Sequence, residues 1–214
     1  MIKNIIWDWN GTIVDDAWVF VSVMNGLLNQ QGLPQTSLKH YRKKFCFPIQ
    51  EYWRGLGFDF TEDIFNELNA NFIIQYEKKM FLPSIHKGLL RLFTAINKEK
   101  RQQFVLSASE NSLLKKSIKH YNLQGVFKGV FGVDNLNAVG KEFVGKELFF
   151  QYQLKPSETL LIGDTEYDYR VAKHLGCSVI LVSHGHISHR RLLKVGVPVV
   201  SSVQEIAKYL SFNQ

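Results

Sequence analysis

Acidic, hydroxyl and lysine side chains stand at or just beyond the ends of several short apolar runs in this sequence. Asp8 follows NIIW, with Asn10 two residues on. Ser107, Ala108 and Ser109 follow QFVL. Asp164 and Asp168 follow TLLIG, and Lys141 opens the helical pattern before that run. An aspartate can attack phosphorus and form an aspartyl phosphate, and Mg²⁺ prefers oxygen ligands such as carboxylates. Hydroxyl and backbone N–H groups hold phosphate oxygens, and a lysine neutralises their charge. Together, these residue types indicate Mg²⁺-dependent phosphoryl transfer.

The apolar runs alternate with longer amphipathic segments. Runs typical of buried strands occur at 4–8, 103–107, 159–164, 178–183 and 197–200, and helical patterns occur at 84–100, 110–121, 141–153 and 166–176. This alternation predicts an α/β fold with a Rossmann-like, doubly wound parallel sheet. Because such sheets bind ligands beyond the carboxyl ends of their strands, we expect the polar residues named above to converge at one edge.

One region interrupts this alternation. Residues 15–82 show only helical patterns, such as the segment 60–80, in which Thr61 is placed to cap a helix. Roughly seventy helical residues are too many for one crossover connection, since a crossover helix is usually far shorter. We therefore predict an inserted all-helical cap domain at 15–82, and a core domain formed by 1–14 and 83–214.

Composition narrows the possible partners and compartments. The two cysteines, Cys46 and Cys177, lie far apart, which argues against a disulfide framework or a thiolate zinc cluster and favours a reducing compartment. The formal net charge is +7, but lysine and arginine are scattered and form no recognised nucleic-acid motif. No apolar run approaches the roughly 18 residues of a membrane span. We expect a soluble, cytoplasmic protein that binds neither nucleic acid nor membrane.

Four short motifs occur in the order and spacing of a known superfamily. They are DWNGT at 8–12, VLSAS at 105–109, VGK at 139–141 and GDTEYD at 163–168. This set resembles the haloacid dehalogenase (HAD) superfamily, and the helical insert resembles the C1-type cap of its phosphoglycolate phosphatase-like members. The resemblance implies a phosphatase that uses Mg²⁺ to hydrolyse small phosphorylated metabolites through an aspartyl phosphate.

The resemblance also implies which residues hold the metal. Asp8 is similar to the nucleophile, which is also a metal ligand, and position 10 offers its backbone carbonyl. Asp164 resembles a further metal ligand, and Asp168 supports either the metal or the active-site lysine.

The remaining roles concern the phosphate group. The resemblance places Ser107 and Lys141 at the transferring phosphoryl group, with substrate contacts from four neighbours: Gly11, Thr12, Ala108 and Ser109. Lys146 is a rival for the lysine role. Lys146 precedes Asp164 by 18 residues, whereas Lys141 precedes Asp164 by 23 residues. The longer separation fits the superfamily better.

Position 10 departs from the pattern, because the superfamily's phosphatases carry a second aspartate there. Asn10 keeps its backbone carbonyl, but its side chain cannot exchange a proton at neutral pH. General acid–base catalysis contributes about 10²- to 10⁴-fold in rate. We therefore expect a slow phosphatase, or one selective for good leaving groups such as acyl or aryl phosphates, unless a cap residue supplies the proton.

Two alternatives remain open. Phosphonatases carry a similar first motif, DWAGT, and form a Schiff base with a cap lysine, for which Lys43 and Lys44 are candidates. The second alternative is a catalytically impaired protein that binds a phosphorylated ligand.

Two further groups of residues have simple interpretations. His184, His186 and His189 lack a fourth ligand for zinc and are interpreted as solvent-facing loop residues. Phe45, Phe47 and Trp53 are candidates for an apolar cover over the active site or for cap core.

Overall fold

The computed structural model describes residues 1–212. Its centre is a six-stranded, all-parallel sheet with the strand order β3-β2-β1-β4-β5-β6. The strands are β1 (Asn4–Trp7), β2 (Gln102–Glu110), β3 (Gly129–Val133), β4 (Thr159–Gly163), β5 (Ser178–Val182) and β6 (Val199–Val200). The doubly wound sheet predicted from the sequence is confirmed.

In the described part of the chain, ten α-helices surround the sheet or lie between β1 and β2 in the sequence. They are α1 (Ala17–Gln30), α2 (Leu38–Lys44), α3 (Ile49–Gly55), α4 (Glu62–Glu77), α5 (Leu89–Lys98), α6 (Asn111–His120), α7 (Lys141–Tyr152), α8 (Glu166–Leu175), α9 (His189–Leu192) and α10 (Val203–Phe212). None of them, within residues 1–212, has the length and apolar character needed to cross a lipid bilayer.

Helices cover both faces of the sheet. Side chains of successive strand residues alternate between these two faces. Ile5 and Trp7 of β1 join a cluster with helices α5, α6 and α10, whereas Ile6 joins a cluster with α7 and α8. The side chains of apolar runs such as NIIW and TLLIG therefore pack against helices on both faces of the sheet, as expected for covered parallel strands. β1 pairs with β2 on one side and β4 on the other, so its carboxyl end lies at the middle of the sheet edge.

Helices α1 to α4 occupy the segment expected to be all-helical. They share an aromatic-rich cluster that includes Tyr41, Trp53 and Phe72, and this cluster also contacts Leu181 and Ile187 near the end of β5. Thr61 caps α4 by accepting a hydrogen bond from the backbone of Ile64. The division into a cap domain at 15–82 and a core domain at 1–14 and 83–214 stays a prediction.

Candidate active site

The turn after β1 positions the first acidic residue. Asp8 follows β1 directly, and the chain then folds back through hydrogen bonds from Ile13 N to Trp9 O and from Gly11 N to Val14 O. Gly11 has a φ of +74°, and a Cβ atom at this position would collide with the side chains of His186 and Asp164. A glycine is thus required for the backbone to approach the site this closely.

Lys141 joins two of the predicted acidic residues. Its Nζ lies 2.6 Å from Asp8 Oδ1 and 2.6 Å from Asp168 Oδ1, and its side chain is 2% exposed. The lysine opens α7 immediately after Gly140, whose φ of +93° turns the chain into the helix. Lys146 lies on the exposed side of the same helix, so the structure places Lys141 at the site.

The Asp168 carboxylate is fully engaged by the protein. Besides Lys141, it accepts hydrogen bonds on Oδ2 from the backbone N–H and the hydroxyl of Thr165, at 3.0 and 2.7 Å. Thr165 in turn caps α8, so that the two residues form a reciprocal capping box at the start of this helix. These contacts hold Asp168 in the orientation that positions the lysine.

Asp164 lies beside Asp8 at the end of β4. Thr12 Oγ1 is 3.2 Å from Asp8 Oδ2 and 3.3 Å from Asp164 Oδ1, and the backbone N–H of His186 donates to the other Asp164 oxygen. One carboxylate oxygen from each of Asp8, Asp164 and Asp168 falls in a group whose members lie within 4.8 Å of one another. The sequence prediction that these acids converge is matched by their placement.

The protonation of this cluster reflects burial and the single lysine. Burial raises the pKa of Asp8 to about 6, although the ammonium of Lys141 opposes the shift. Burial also holds the pKa of Asp164 well above its usual range. For Lys141, burial alone would lower the pKa, but the charges of Asp168 and Asp8 raise it, so the lysine is a cation. One lysine cation thus faces three carboxyl groups, and burial opposes the ionisation of Asp8 and Asp164.

Ser107 and Ser109 lie in the carboxyl-terminal half of β2, and Ser109 contacts Asn10. Ser107 is buried, and its hydroxyl accepts a hydrogen bond from Ser109 N at 3.1 Å. The Ser109 hydroxyl donates to Asn10 Oδ1 at 2.6 Å. Ser107, Ala108 and Ser109 all border the same cavity as Asp8. Thr12, by contrast, is fully buried between the two acids and does not border this cavity.

Asn10 and its neighbours form a buried polar network that sequence reasoning did not identify. Asn10 Nδ2 donates to Asp16 Oδ2 at 2.5 Å and to the hydroxyl of Tyr76 at 2.8 Å, and the Tyr76 hydroxyl donates to Asp16 at 2.8 Å. Gly11 N donates to the other Asp16 oxygen at 2.8 Å. Asp16 directly precedes α1, but its side chain makes no capping hydrogen bond to that helix.

His186 completes this network, and its burial corrects the expectation of a solvent-facing loop residue. The side chain is 4% exposed, with Nε2 3.2 Å from Asp16 Oδ1 and Nδ1 2.6 Å from the hydroxyl of Tyr41. Burial opposes a charge on the ring, yet Asp16 raises the pKa of His186. Burial likewise opposes ionisation of Asp16, but hydrogen bonds from His186, Asn10 and Tyr76 lower its pKa. Both shifts favour the ionised forms of Asp16 and His186, which lie within ion-pair distance.

A family model of haloacid dehalogenase-like hydrolases matches residues 5–182. The chain belongs to this family. It is 24% identical over 195 residues to a phosphoglycolate phosphatase from Rhodobacter capsulatus, an alignment that covers 87% of this chain and 86% of the relative.

Solved structures share the fold of this HAD-like hydrolase. A predicted phosphatase from Clostridium acetobutylicum superposes with a TM-score of 0.85 at 20% identity, and 98% of each chain is covered. A predicted phosphoglycolate phosphatase from Haemophilus somnus gives a TM-score of 0.79 at 17% identity, covering 100% of this chain and 98% of the other. The resemblance read from the four motifs is confirmed.

A cavity of about 140 Å³ opens in the HAD-like hydrolase beside Asp8, Lys141 and Asp164. Its far wall comes from α1 to α4 and the loops between them, and it includes the three aromatic residues named in the sequence analysis, Phe45, Phe47 and Trp53. Lys43 and Lys44 are exposed and do not border the cavity. The described structure therefore places neither candidate Schiff-base lysine at the site.

Proposed function

We propose that this HAD-like hydrolase is a Mg²⁺-dependent phosphatase that hydrolyses small phosphomonoesters through an aspartyl phosphate on Asp8. The observation that carries the proposal is the position of Lys141, which bridges Asp8 and Asp168 at the edge of an open cavity while Asp164 lies beside them. The name of the Rhodobacter capsulatus relative supports the same reaction class.

The chemistry of the donor set fits Mg²⁺. Asp8 and Asp168 share Lys141, but within residues 1–212 no lysine or arginine pairs with Asp164. A buried carboxylate without a cation, next to a second carboxylate, is a suitable site for a hard divalent ion. Asp8, Asp164 and the backbone carbonyl of Asn10 would hold Mg²⁺, which when bound supplies positive charge to the phosphoryl oxygens. Asp168 would act by positioning Lys141.

The protein's own groups then account for the covalent step. A carboxylate oxygen of Asp8 forms a bond to phosphorus, and the bond from phosphorus to the leaving oxygen breaks with its electron pair. Lys141, Ser107 and the backbone N–H of Ala108 would hold the phosphoryl oxygens. Water then attacks the aspartyl phosphate, which releases inorganic phosphate and restores Asp8, and the proton from water balances the charge on the departed oxygen.

Protonation of the leaving oxygen is the weak step in this scheme. Asn10 donates to Asp16 and Tyr76 and accepts from Ser109, so its side chain has neither an acidic proton nor a free donor for the substrate. Both ring nitrogens of His186 are engaged by Asp16 and Tyr41. We expect a rate about 10²- to 10⁴-fold below that of an equivalent site with an acid, except for substrates whose leaving groups need no proton.

Acetyl phosphate tests this proposal directly, because acetate departs without protonation. With Mg²⁺, the wild type is expected to release phosphate from acetyl phosphate and to retain acid-stable label on Asp8 when the phosphate is radiolabelled. Asp8→Asn should abolish both. Label on another residue, or turnover that persists in Asp8→Asn, would overturn the aspartyl-phosphate proposal.

A non-catalytic, ligand-binding role is the second candidate, and the saturated hydrogen bonding of Asn10 favours it. This role predicts a Mg²⁺-dependent complex of beryllium fluoride at Asp8 together with no turnover of acetyl phosphate. The C–P hydrolase alternative has no such support, because Lys43 and Lys44 lie away from the cavity.

A further inference from the structure

The wall of the cavity that faces away from the acids is almost entirely apolar. Most of its side chains are aromatic or aliphatic residues of the insert, including Phe20, Met24, Phe45, Phe72 and Ile73. The leaving group of a phosphomonoester bound at Asp8 would lie against this wall, because the phosphoryl group occupies the polar end. The chemical character of the wall therefore selects the leaving group.

The cavity offers no cation to an anionic leaving group. Among the described residues that border it, the basic side chains are Lys141, which is bound to Asp8 and Asp168, and His186, which is bound to Asp16 and Tyr41. The remaining charged side chain outside the acid cluster is Glu110. A carboxylate or second phosphate on the substrate would thus lose its hydration without gaining a partner, which is strongly unfavourable.

Most polar groups on the wall are also committed to protein partners, although the hydroxyl of Tyr52 is buried without one among residues 1–212. The Tyr76 hydroxyl is held by Asn10 and Asp16, and the Tyr41 hydroxyl by His186. The amide of Asn69 donates to Leu136 O and to the side chain of Asn137. A sugar or polyol leaving group would find few free donors or acceptors here, and each unpaired hydroxyl would disfavour binding.

The volume of the cavity suits a small ring. A dry cavity of about 150 Å³ lined by aliphatic and aromatic side chains takes up benzene. This cavity measures about 140 Å³ with its polar end included, so the leaving group can be no larger than a small ring. Aromatic side chains such as Phe45 and Phe72 can pack edge-to-face against such a ring.

We propose that the substrate is an aryl phosphomonoester whose phenol carries no further charged group, an inference that rests on the proposed phosphatase activity. Phenols ionise near a pKa of about 10, whereas alkoxides are nearly as basic as hydroxide, for which water has a pKa of about 15.7. A phenolate therefore departs with the electron pair of the broken P–O bond without being protonated first. The apolar wall and the absence of an acid at position 10 select the same substrate class.

A matched pair of substrates tests this class. Phenyl phosphate and 4-carboxyphenyl phosphate differ by one carboxylate, and the carboxylated phenol is the better leaving group. We expect kcat/KM with Mg²⁺ to be about 10- to 100-fold higher for phenyl phosphate, because the extra carboxylate is buried without a cation. Phosphoglycolate should also be a poor substrate. Equal or higher kcat/KM for either carboxylated substrate would overturn the inference.

Binding provides a readout that does not depend on turnover. In the presence of Mg²⁺, calorimetry is expected to show that phenylphosphonate binds at least about 10-fold more tightly than 4-carboxyphenylphosphonate. Equal affinities would contradict the inference even if acetyl phosphate is hydrolysed. Failure of acetyl phosphate turnover would instead contradict the proposed phosphatase activity, so the two proposals fail separately.

Neighbouring positions on α4 provide matched variants. Ile73 is half-buried and borders the cavity, whereas Ile74 is 54% exposed and does not border it. Ile73→Arg should shift the ratio of kcat/KM, and of phosphonate affinity, toward the carboxylated compound by about 10-fold. Ile74→Arg should leave both ratios unchanged. An unchanged ratio in a folded Ile73→Arg protein would show that the leaving group does not contact this wall.

Discussion

The amide of Asn10 donates a hydrogen bond to the carboxylate of Asp16. Asp16 is fully buried and accepts further hydrogen bonds from Gly11 N and Tyr76, with the His186 ring beside it. An aspartate at position 10 would bring a second carboxylate into direct contact with this one. The residue at position 10 is therefore coupled to the residue at position 16.

This coupling predicts the behaviour of Asn10→Asp. Two carboxylates in contact share one proton, so the pKa of one of them is raised in the folded state. A raised carboxyl pKa stabilises the folded protein at low pH and loses that effect as the pH rises. Asn10→Asp should therefore lower the free energy of unfolding by about 1–3 kcal/mol at pH 8, and by less at pH 5, as measured by urea denaturation.

The double variant Asn10→Asp/Asp16→Asn is the matched control. It keeps an amide and a carboxylate in contact, and we expect it to recover most of the lost stability while placing an acid at position 10. Its turnover of alkyl phosphates should rise by about 10²- to 10⁴-fold over wild type. Equal stability of Asn10→Asp and wild type at pH 8 would show that the two positions are not coupled.

Lys141 and Lys146 should respond differently to the same substitution. Lys141→Met leaves Asp8 and Asp168 buried without their cation, and removing one partner of a buried ion pair costs about 3–5 kcal/mol. Lys146 is exposed, and Lys146→Met should change the free energy of unfolding by less than about 0.5 kcal/mol. Phosphate release from acetyl phosphate should be lost only in the first variant. Loss of activity in Lys146→Met would reverse the assignment.

Removing the charge of Asp164 should have opposite effects with and without metal. Because burial raises the pKa of this carboxyl, its ionised form destabilises the metal-free fold at neutral pH, and Asp164→Asn should unfold at a higher urea concentration. With Mg²⁺ at a hundred times its Kd, wild type should gain about 2.7 kcal/mol. The variant should gain none, whereas Glu147→Gln, on the exposed surface, should behave as wild type.

His184 should make stability depend on pH below neutrality. Burial, followed by the neighbouring His86, lowers the pKa of His184 from 6.5 to about 4. Since the unfolded chain binds the proton more readily, stability is fully present above pH 6.5 and falls as the pH drops toward 4, by up to about 3 kcal/mol. His184→Gln should flatten this decline in urea titrations, and His189→Asn, at an exposed position, should not.

Local sequence patterns were sufficient for most of the fold. The runs at 4–8 and 159–164 correspond to β1 and β4, and the helical pattern at 166–176 corresponds to α8, which Gly176 ends with a φ of +71°. The strand β3 was missed because its sequence, GVFGV, contains two glycines and has three half-buried residues, so it lacks a strong apolar run. The short helices α2 and α3 were recognised only as part of a helical region.

In the site, too, residues in local sequence motifs could be predicted, whereas residues joined by long-range contacts could not. Asp8, Lys141, Asp164 and Asp168 were identifiable because each lies in a recognisable motif, just after a strand or in the first turn of a helix. His186 was not, because its contact with Asp16 spans 170 positions, and a histidine in a loop carries no local mark of burial. The pair of acids at 15 and 16 is a weak indication of the network, since it precedes the largely apolar helix α1.

The hydroxyl of Tyr41 in α2 forms a hydrogen bond with His186 in the loop after β5, and that of Tyr76 in α4 donates to Asp16 in the loop after β1. A displacement of both helices away from these loops would break the two hydrogen bonds and expose Asp16 to water. Asn10 would regain its hydrogen bonds to Asp16 and Tyr76 when the helices return. A motion of this kind would couple substrate entry to the local polarity around position 10.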